Sequence, residues 1–195
     1  MTLNKPLFCV DQYRSFIIKT MKTTLKISCF LLLFIFGTAI QKTFSQQPAI
    51  KKVGDLDATS KPVYYNLEKG ITVDETDTAK TGWDLSFQRT TLTLQAAAGG
   101  QLLENSDFEK IEHAPSTGYA FGKNAIPNGS GKSWYLYNVD NHTVNPISGK
   151  FILIHTASGK YYKLIIDSYY KTEQDGPSGY YTFRYMEITP GSLTK

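Results

Sequence analysis

The chain has 195 residues, 21 Lys and Arg against 17 Asp and Glu, and a formal net charge of +4. Six of the basic residues and both cysteines precede Gln46; the remainder carries 15 basic and 16 acidic side chains, a net charge of −1. A chain that begins at Gln46 lacks the basic patch of a nucleic-acid-binding protein, and without cysteine it has no disulfide, zinc knuckle or thiol nucleophile.

The first 45 residues have the layout of an export leader. Lys22 and Lys26 precede the apolar stretch 27–40, and small residues follow, which predicts a signal peptide over 21–45 with cleavage after Ser45. The stretch is shorter than the roughly 20 residues that span a bilayer, so no integral membrane segment is expected after cleavage. A lipid anchor on Cys29 is not expected either, because the apolar run follows that cysteine. Residues 1–20 are interpreted as a gene-start artefact, with translation starting at Met21.

The rest of the chain predicts one all-β domain. We expect a flexible lead-in over 46–60 and, over 61–195, a single-domain antiparallel sandwich-like fold with little or no helix, because short Tyr-, Ile-, Val-, Phe- and Thr-rich runs alternate with turn residues. The predicted strands are Val63–Leu67, Trp83–Leu94, Phe108–Glu112, Ser133–Val139, Lys150–Thr156, Tyr161–Tyr170 and Tyr180–Ile188.

Alternation within the second predicted strand assigns its two faces. Apolar side chains occupy the odd positions from Trp83 to Phe87, with Asp84 and Ser86 between them. Beyond Thr90 the apolar residues move to even positions, and a bulge near 90–91 is the simplest account of this shift. One buried face is therefore predicted to contain Trp83, Leu85, Phe87, Leu164, Ile166 and Phe183.

The pattern around residue 158 predicts a hairpin. The strands 151–156 and 160–170 are separated by Ala157-Ser158-Gly159, and a final glycine suits a three-residue connection with a left-handed last position. In the second strand, Lys163 and Asp167 are expected to face solvent. Four Tyr-Tyr pairs, at 64, 161, 169 and 180, each predict one ring inside the core and one outside, because neighbours on a strand point to opposite faces.

No enzyme motif stands out. The three histidines, His113, His142 and His155, form no HExxH motif, there is no GxSxG elbow, and the strand carboxylates alternate with core residues as on a solvated face. His113 and His142 lie in predicted loops, which gather at the ends of sheets in β-folds and can converge there. His155 is assigned to the hairpin.

Three segments resemble the HmuY-like family of exported haem-binding proteins, the haemophores: Trp83–Arg89, Thr156–Leu164 and Ser178–Tyr185. The resemblance implies an all-β fold that binds non-covalent b-type haem between two axial side chains and does not catalyse a reaction. It places His113 and His142 in the ligand-bearing segments, as axial ligands of the haem iron. It also implies host haemoproteins as the source of haem, a TonB-dependent outer-membrane receptor as its recipient, and a location in the periplasm, on the cell surface or outside the cell.

Two other classes of function stay open at this level. An adhesin-like module that binds glycan or protein without haem would use exposed tyrosines and Trp134. A hydrolase is the third class, and no motif favours it.

Overall fold

The computed structural model describes residues 48–174 and 176–192, so the predicted signal peptide and gene-start artefact lie outside the described residues. The strands are β1 Lys51–Asp57, β2 Val63–Asn66, β3 Ile71–Val73, β4 Leu85–Gln88, β5 Thr91–Leu94, β6 Gly99–Leu103, β7 His113–Ala114, β8 Ala120–Phe121, β9 Tyr135–Asn138, β10 Thr143–Pro146, β11 Phe151–His155, β12 Tyr161–Tyr170 and β13 Ser178–Pro190. Within these described residues, helix is limited to α1, Thr78–Thr81, and to 3₁₀ turns at Glu75–Asp77 and Lys171–Gln174. The all-β prediction is confirmed.

Two sheets enclose the main core. The large sheet has the order β1-β13-β12-β11-β6-β8, with the short β7 added in parallel to the end of β13, and the smaller one has the order β3-β2-β4-β5. Aromatic rings join them: Phe183 of the large sheet lies 5.0 Å from Phe87 and 5.5 Å from Tyr65 of the small one, measured between ring centroids. The arrangement is the predicted sandwich, and β9 and β10 form a separate two-stranded hairpin beside it.

The predicted long strand Trp83–Leu94 is wrong as a single element. It is a hairpin in which β4 and β5 pair from Leu85↔Leu94 to Gln88↔Thr91. Arg89 and Thr90 form a two-residue turn, and Arg89 adopts the left-handed φ of 48°. The shift in alternation thus marks a turn between paired strands instead of a bulge.

The β11–β12 hairpin is confirmed. Thr156 N–H donates to the Lys160 carbonyl, Gly159 N–H donates to the Thr156 carbonyl, and Gly159 has a φ of 85°. The tyrosine pairs also behave as predicted: Tyr65, Tyr162, Tyr169 and Tyr181 are buried, whereas their neighbours Tyr64, Tyr161, Tyr170 and Tyr180 are half-buried.

Two further predictions are wrong. The lead-in expected over 46–60 contains strand β1, which pairs antiparallel with the edge of β13 from Lys51↔Tyr185 to Asp57↔Tyr180. The strand expected over Phe108–Glu112 is instead a turn closed by Lys110 N–H donating to the Asp107 carbonyl, and the short β7 begins only at His113.

A second, smaller core covers the outer face of the large sheet. Phe108, Ile111 and Ala114 pack there against Phe151, Leu153 and Ile188. This layer buries Lys163, which was expected in solvent: its ammonium group donates to the Phe108 carbonyl and lies 4.5 Å from the centre of the Phe108 ring. Loss of hydration lowers the pKa of Lys163.

Candidate functional site

His142 lies at the tip of the β9–β10 hairpin. The turn between the strands is held by side chains, because Asn138 Oδ1 accepts from Asp140 N–H and Asn141 Oδ1 accepts from both the amide and the hydroxyl of Thr143. His142 itself has a left-handed φ of 57°. A non-glycine residue held in that region costs conformational energy, and such positions concentrate at functional sites.

The imidazole of His142 is oriented by a neighbouring phenol. Its Nδ1 lies 2.7 Å from the hydroxyl oxygen of Tyr137. In the tautomer whose Nδ1–H donates to that oxygen, Nε2 carries the lone pair that a metal requires. A partner on the second ring nitrogen is the usual support of a metal-ligating histidine.

The hairpin that carries this histidine also carries exposed apolar side chains. The exposed fractions of Leu136, Tyr137 and Val139 are 53%, 43% and 70%. We call these three residues with His142 the hairpin patch. Single exposed apolar residues are ordinary, whereas several within one short hairpin mark a binding surface. The patch therefore combines one metal-competent imidazole with an apolar platform.

A loop from the main body supports the hairpin patch from below. Tyr137 N–H donates to Ser130 Oγ, and Gly131 N–H donates to the Tyr135 carbonyl. Lys150, almost fully buried, donates to the Gly131 carbonyl and forms a 2.7 Å ion pair with Glu104. Lys132 in this loop is exposed and supplies a positive charge beside the hairpin.

His113 has a similar support at a different place. It begins β7, and its Nδ1 lies 2.9 Å from Thr189 Oγ1 on β13. Its ring packs tightly against Gly191, where a Cβ atom would come within 3.0 Å of the imidazole Cγ. His113 is half-buried, so its ring is more enclosed than that of His142.

The structure does not bring His113 and His142 together. His113 pairs with Thr189, next to Ile188, which pairs with Tyr161 at the start of β12. The hairpin that carries His142 joins the other end of β12, where Val144 N–H donates to the hydroxyl of Tyr170. Ten extended residues span about 30 Å, so the strand pairing places the two histidines towards opposite ends of β12.

His155 lies on the end of the sheet that also carries His113. Its ring stacks on Tyr161 at 4.3 Å with an interplanar angle of 4°, and Tyr119 and Phe121 approach it at 5.9 and 6.4 Å. Burial raises the pKa of the Tyr119 phenol, which disfavours the phenolate form needed for metal ligation. The sequence pattern predicted only a hairpin role for His155; this aromatic surrounding depends on pairing across four strands.

Two further expectations bear on the alternatives. Trp134, expected as an exposed contact residue of an adhesin-like module, is 2% exposed, and its indole N–H donates to the Thr90 carbonyl. Within residues 48–174 and 176–192, no group of three or more His, Cys, Asp or Glu side chains could hold a metal ion. Over the same ranges, no helix is long and apolar enough to cross a membrane.

Comparisons with known proteins identify the family. Two solved structures share the fold: the apo form of an HmuY analogue, TFO, from Tannerella forsythia (14% identity, 72% of this chain and 95% of the other, TM-score 0.54) and apo PinO from Porphyromonas gingivitis (12% identity, 75% and 100%, TM-score 0.52). No curated protein sequence matches the chain. The family model of the HmuY protein matches residues 58–185, well over half of the sequence. The chain therefore belongs to the HmuY family.

Proposed function

We propose that this protein is an exported haem-binding protein whose hairpin patch holds b-type haem, with His142 as an axial ligand of the iron. The observation that carries the proposal is the imidazole of His142, held at Nδ1 by Tyr137 among exposed apolar side chains. Membership of the HmuY family supports the same ligand, since the family resemblance implies haem.

The chemistry of the patch fits this group. Imidazole nitrogen is a common axial donor to haem iron, and pocket polarity tunes the metal. Tyr137 and Val139 offer exposed apolar surface to a macrocycle, and Lys132 is a cation of the kind that pairs with carboxylates. Binding is non-covalent, because the chain from Gln46 onwards has no cysteine.

The role of His113 follows from its position. The sequence-based proposal pairs it with His142 on one iron, and its Nδ1 contact to Thr189 Oγ1 is compatible with a ligating histidine. The length of β12 separates the two rings, and residues 127–146 contain no second His, Met or Cys. We therefore propose that His142 acts as the single protein ligand at the hairpin patch and that His113 is dispensable there.

Export and transfer complete the proposal. The leader predicted over 21–45 would place the protein in the periplasm, on the surface or outside the cell. An exposed site with one protein ligand suits a carrier that takes haem from host haemoproteins and releases it to a TonB-dependent outer-membrane receptor. No catalytic turnover is assigned to it.

Haemin titration of the chain starting at Gln46 tests the ligand. The wild type is expected to give a sharpened Soret band that saturates at one equivalent. His142→Gly, which suits the positive φ of this position, should weaken binding at least about tenfold, because even loss of an outer partner of a metal ligand costs about 10–100-fold. His155→Ala is the matched control and should bind as the wild type does.

His113→Ala separates the two ligand schemes. If His142 is the single ligand, His113→Ala keeps wild-type affinity. A low-spin bis-imidazole spectrum that disappears equally in His113→Ala and His142→Gly would instead support the axial pair. A wild-type protein without a specific Soret band would overturn the haem proposal altogether.

A further inference from the structure

A polar cleft lies at the opposite end of the sandwich from the hairpin patch. It has a volume of about 540 Å³ and is bordered by the β2–β3 turn, α1 and the β11–β12 turn. We call it the Trp83 cleft; its lining includes Asn66, Thr78, Trp83, Asp84, Gln95 and Ser158. The volume lies in the range of roughly 300–1,000 Å³ that is usual for small-molecule sites.

Trp83 forms an aromatic wall of this cleft. It was predicted in the core but is half-buried. Its ring packs edge-to-face against Tyr64, with 5.0 Å between the ring centroids and an interplanar angle of 66°. The contact with Tyr64 holds the indole in place without covering it completely. A large fixed ring that reaches a cleft offers a flat apolar surface to a ligand.

Asp84 places a carboxylate beside that ring. Although its alternation predicted solvent, the residue is only 9% exposed, and its Oδ2 accepts the Leu67 N–H at 2.7 Å. No side chain that the structure describes donates to its Oδ1, and the residue lines the cleft. A carboxylate can accept hydrogen bonds at both oxygens, so the second oxygen of Asp84 is available to a ligand that donates from the cleft.

Amide groups complete the lining. Asn66 is fixed by two bonds, since its Oδ1 accepts from Lys69 N–H and its Nδ2 donates to the Gly82 carbonyl. Gln95 uses Oε1 to accept the Ala97 N–H, which leaves its Nε2 protons for a ligand. The cleft thus presents one aromatic ring, one open carboxylate oxygen and one amide donor on a rigid frame.

We propose that the Trp83 cleft binds a neutral saccharide, with one sugar ring against the Trp83 indole and its hydroxyls bonded to Asp84 and Gln95. A sugar ring has apolar C–H faces and a rim of hydroxyls that both donate and accept, which matches this combination of groups. A quaternary ammonium ligand would also attract an indole and a carboxylate. It has no hydrogen-bond acceptor, however, so it would leave the amide donor of Gln95 unused.

Intrinsic fluorescence tests the proposal on the purified protein. The chain has two tryptophans, and Trp134 is buried, so a ligand in the cleft should change the emission of Trp83. The probes are N-acetylglucosamine, methyl α-mannoside, methyl β-galactoside and lactose, each added up to about 50 mM to cover the millimolar dissociation constants of weak sites. We expect at least one probe to give a saturable shift, confirmed by saturation-transfer NMR.

Variants assign that binding to the cleft. Trp83→Ala and Asp84→Asn should each weaken the affinity of the active probe by about tenfold or more in the NMR assay, whereas His142→Gly should leave it unchanged. Trp83→Phe keeps an aromatic face and should restore part of the loss. Asp84→Asn preserves side-chain shape, so it keeps the test valid if Trp83→Ala fails to fold.

Three results would overturn the assignment. They are no saturable response to any of the four sugars, equal affinity in wild type, Trp83→Ala and Asp84→Asn, or a response to choline chloride with none to the sugars. Because the haem assay uses the other end of the molecule, failure here leaves the haem proposal standing, and failure of haem binding leaves this one standing.

Discussion

The hydroxyl of Tyr137 is the only hydrogen-bond partner found for the His142 ring among the residues the structure describes. When its oxygen accepts from Nδ1–H, Nε2 carries the lone pair that iron requires. The proposed ligand and its hydrogen-bond partner are thus five positions apart on one hairpin.

Tyr137→Phe should therefore weaken haem binding while leaving the apolar platform intact. Loss of the outer partner of a ligating histidine usually costs about 10–100-fold in metal affinity, and haemin titration measures it directly. Tyr161→Phe is the matched control, because Tyr161 stacks on His155 at the other end of β12. Equal affinity in Tyr137→Phe and wild type would mean that the phenol does not orient the ligand.

The ionisation of Asp84 makes the free energy of unfolding depend on pH. Burial is the main cause that raises the pKa of its carboxyl, so the folded state holds this proton more tightly than the unfolded chain. The protonated carboxyl therefore stabilises the folded state fully below the unfolded pKa of about 4, and this stabilisation is lost as the pH rises through the folded pKa. Asp84→Asn does not titrate and can still accept the Leu67 N–H. Its unfolding free energy relative to wild type should increase from pH 3 to pH 7 in urea titrations; a difference that is constant with pH would contradict this.

Local patterns predicted the elements whose partners are close in sequence. The β11–β12 hairpin follows from its own alternation and from Gly159, and β12 has the predicted bounds. The shift after Thr90 was also visible, but a bulge and a two-residue turn produce the same change of phase. Alternation predicts which face of a sheet a residue occupies, but it does not show whether the chain continues in the same direction or turns back.

Strand β1 could not be predicted in this way. It is an edge strand, most of its side chains are exposed, and Leu56 is its one buried residue, so it lacks an alternating apolar pattern. Its pairing with β13 comes from backbone hydrogen bonds, which composition does not reveal.

Removal of β1 should destabilise the domain. A chain that starts at Ala58 loses the burial of Leu56 and exposes the edge of β13, and loss of one buried Leu alone costs about 1.5–3 kcal/mol. Urea unfolding of this chain and of one that starts at Pro48 measures the difference. Equal unfolding free energies would show that 48–57 behaves as the flexible lead-in predicted from sequence.

At the scale of the whole molecule, two cores lie on the two faces of the large sheet. The core on the inner face was predictable: Leu164, Ile166 and Phe183 of the large sheet and Leu85 and Phe87 of the small sheet are all buried in it. The outer face was not, because the segment that covers it has turns where a strand was expected. Lys163 is buried for this reason in spite of its polar pattern.

Phe183→Ala tests the inner core. The side chain is fully buried between the sheets, and truncation of a buried Phe costs about 3–5 kcal/mol. Phe121→Ala is the control, because Phe121 is 65% exposed and its loss should stay within about 0.5 kcal/mol. Denaturant unfolding of both variants gives the comparison. A loss below about 1 kcal/mol at Phe183 would contradict the packing between the sheets.

The proposed haem site shows the same limit of sequence reasoning. The pattern singled out His113 and His142 as loop histidines, and both have a hydroxyl partner at Nδ1. Which end of the sandwich each loop reaches depends on the pairing of β12 with β13 and on the contact of the hairpin with Tyr170. Those contacts are long-range, and they place the two rings apart.

Chemical rescue is the most direct test of His142 as the axial ligand. His142→Gly removes the imidazole and leaves a residue suited to the left-handed φ of this position. Haemin absorbance of this variant is recorded with and without free imidazole, beside His113→Ala. We expect imidazole to restore the wild-type Soret band in His142→Gly, and His113→Ala to need no rescue. A wild-type Soret band in His142→Gly without added imidazole would contradict the account.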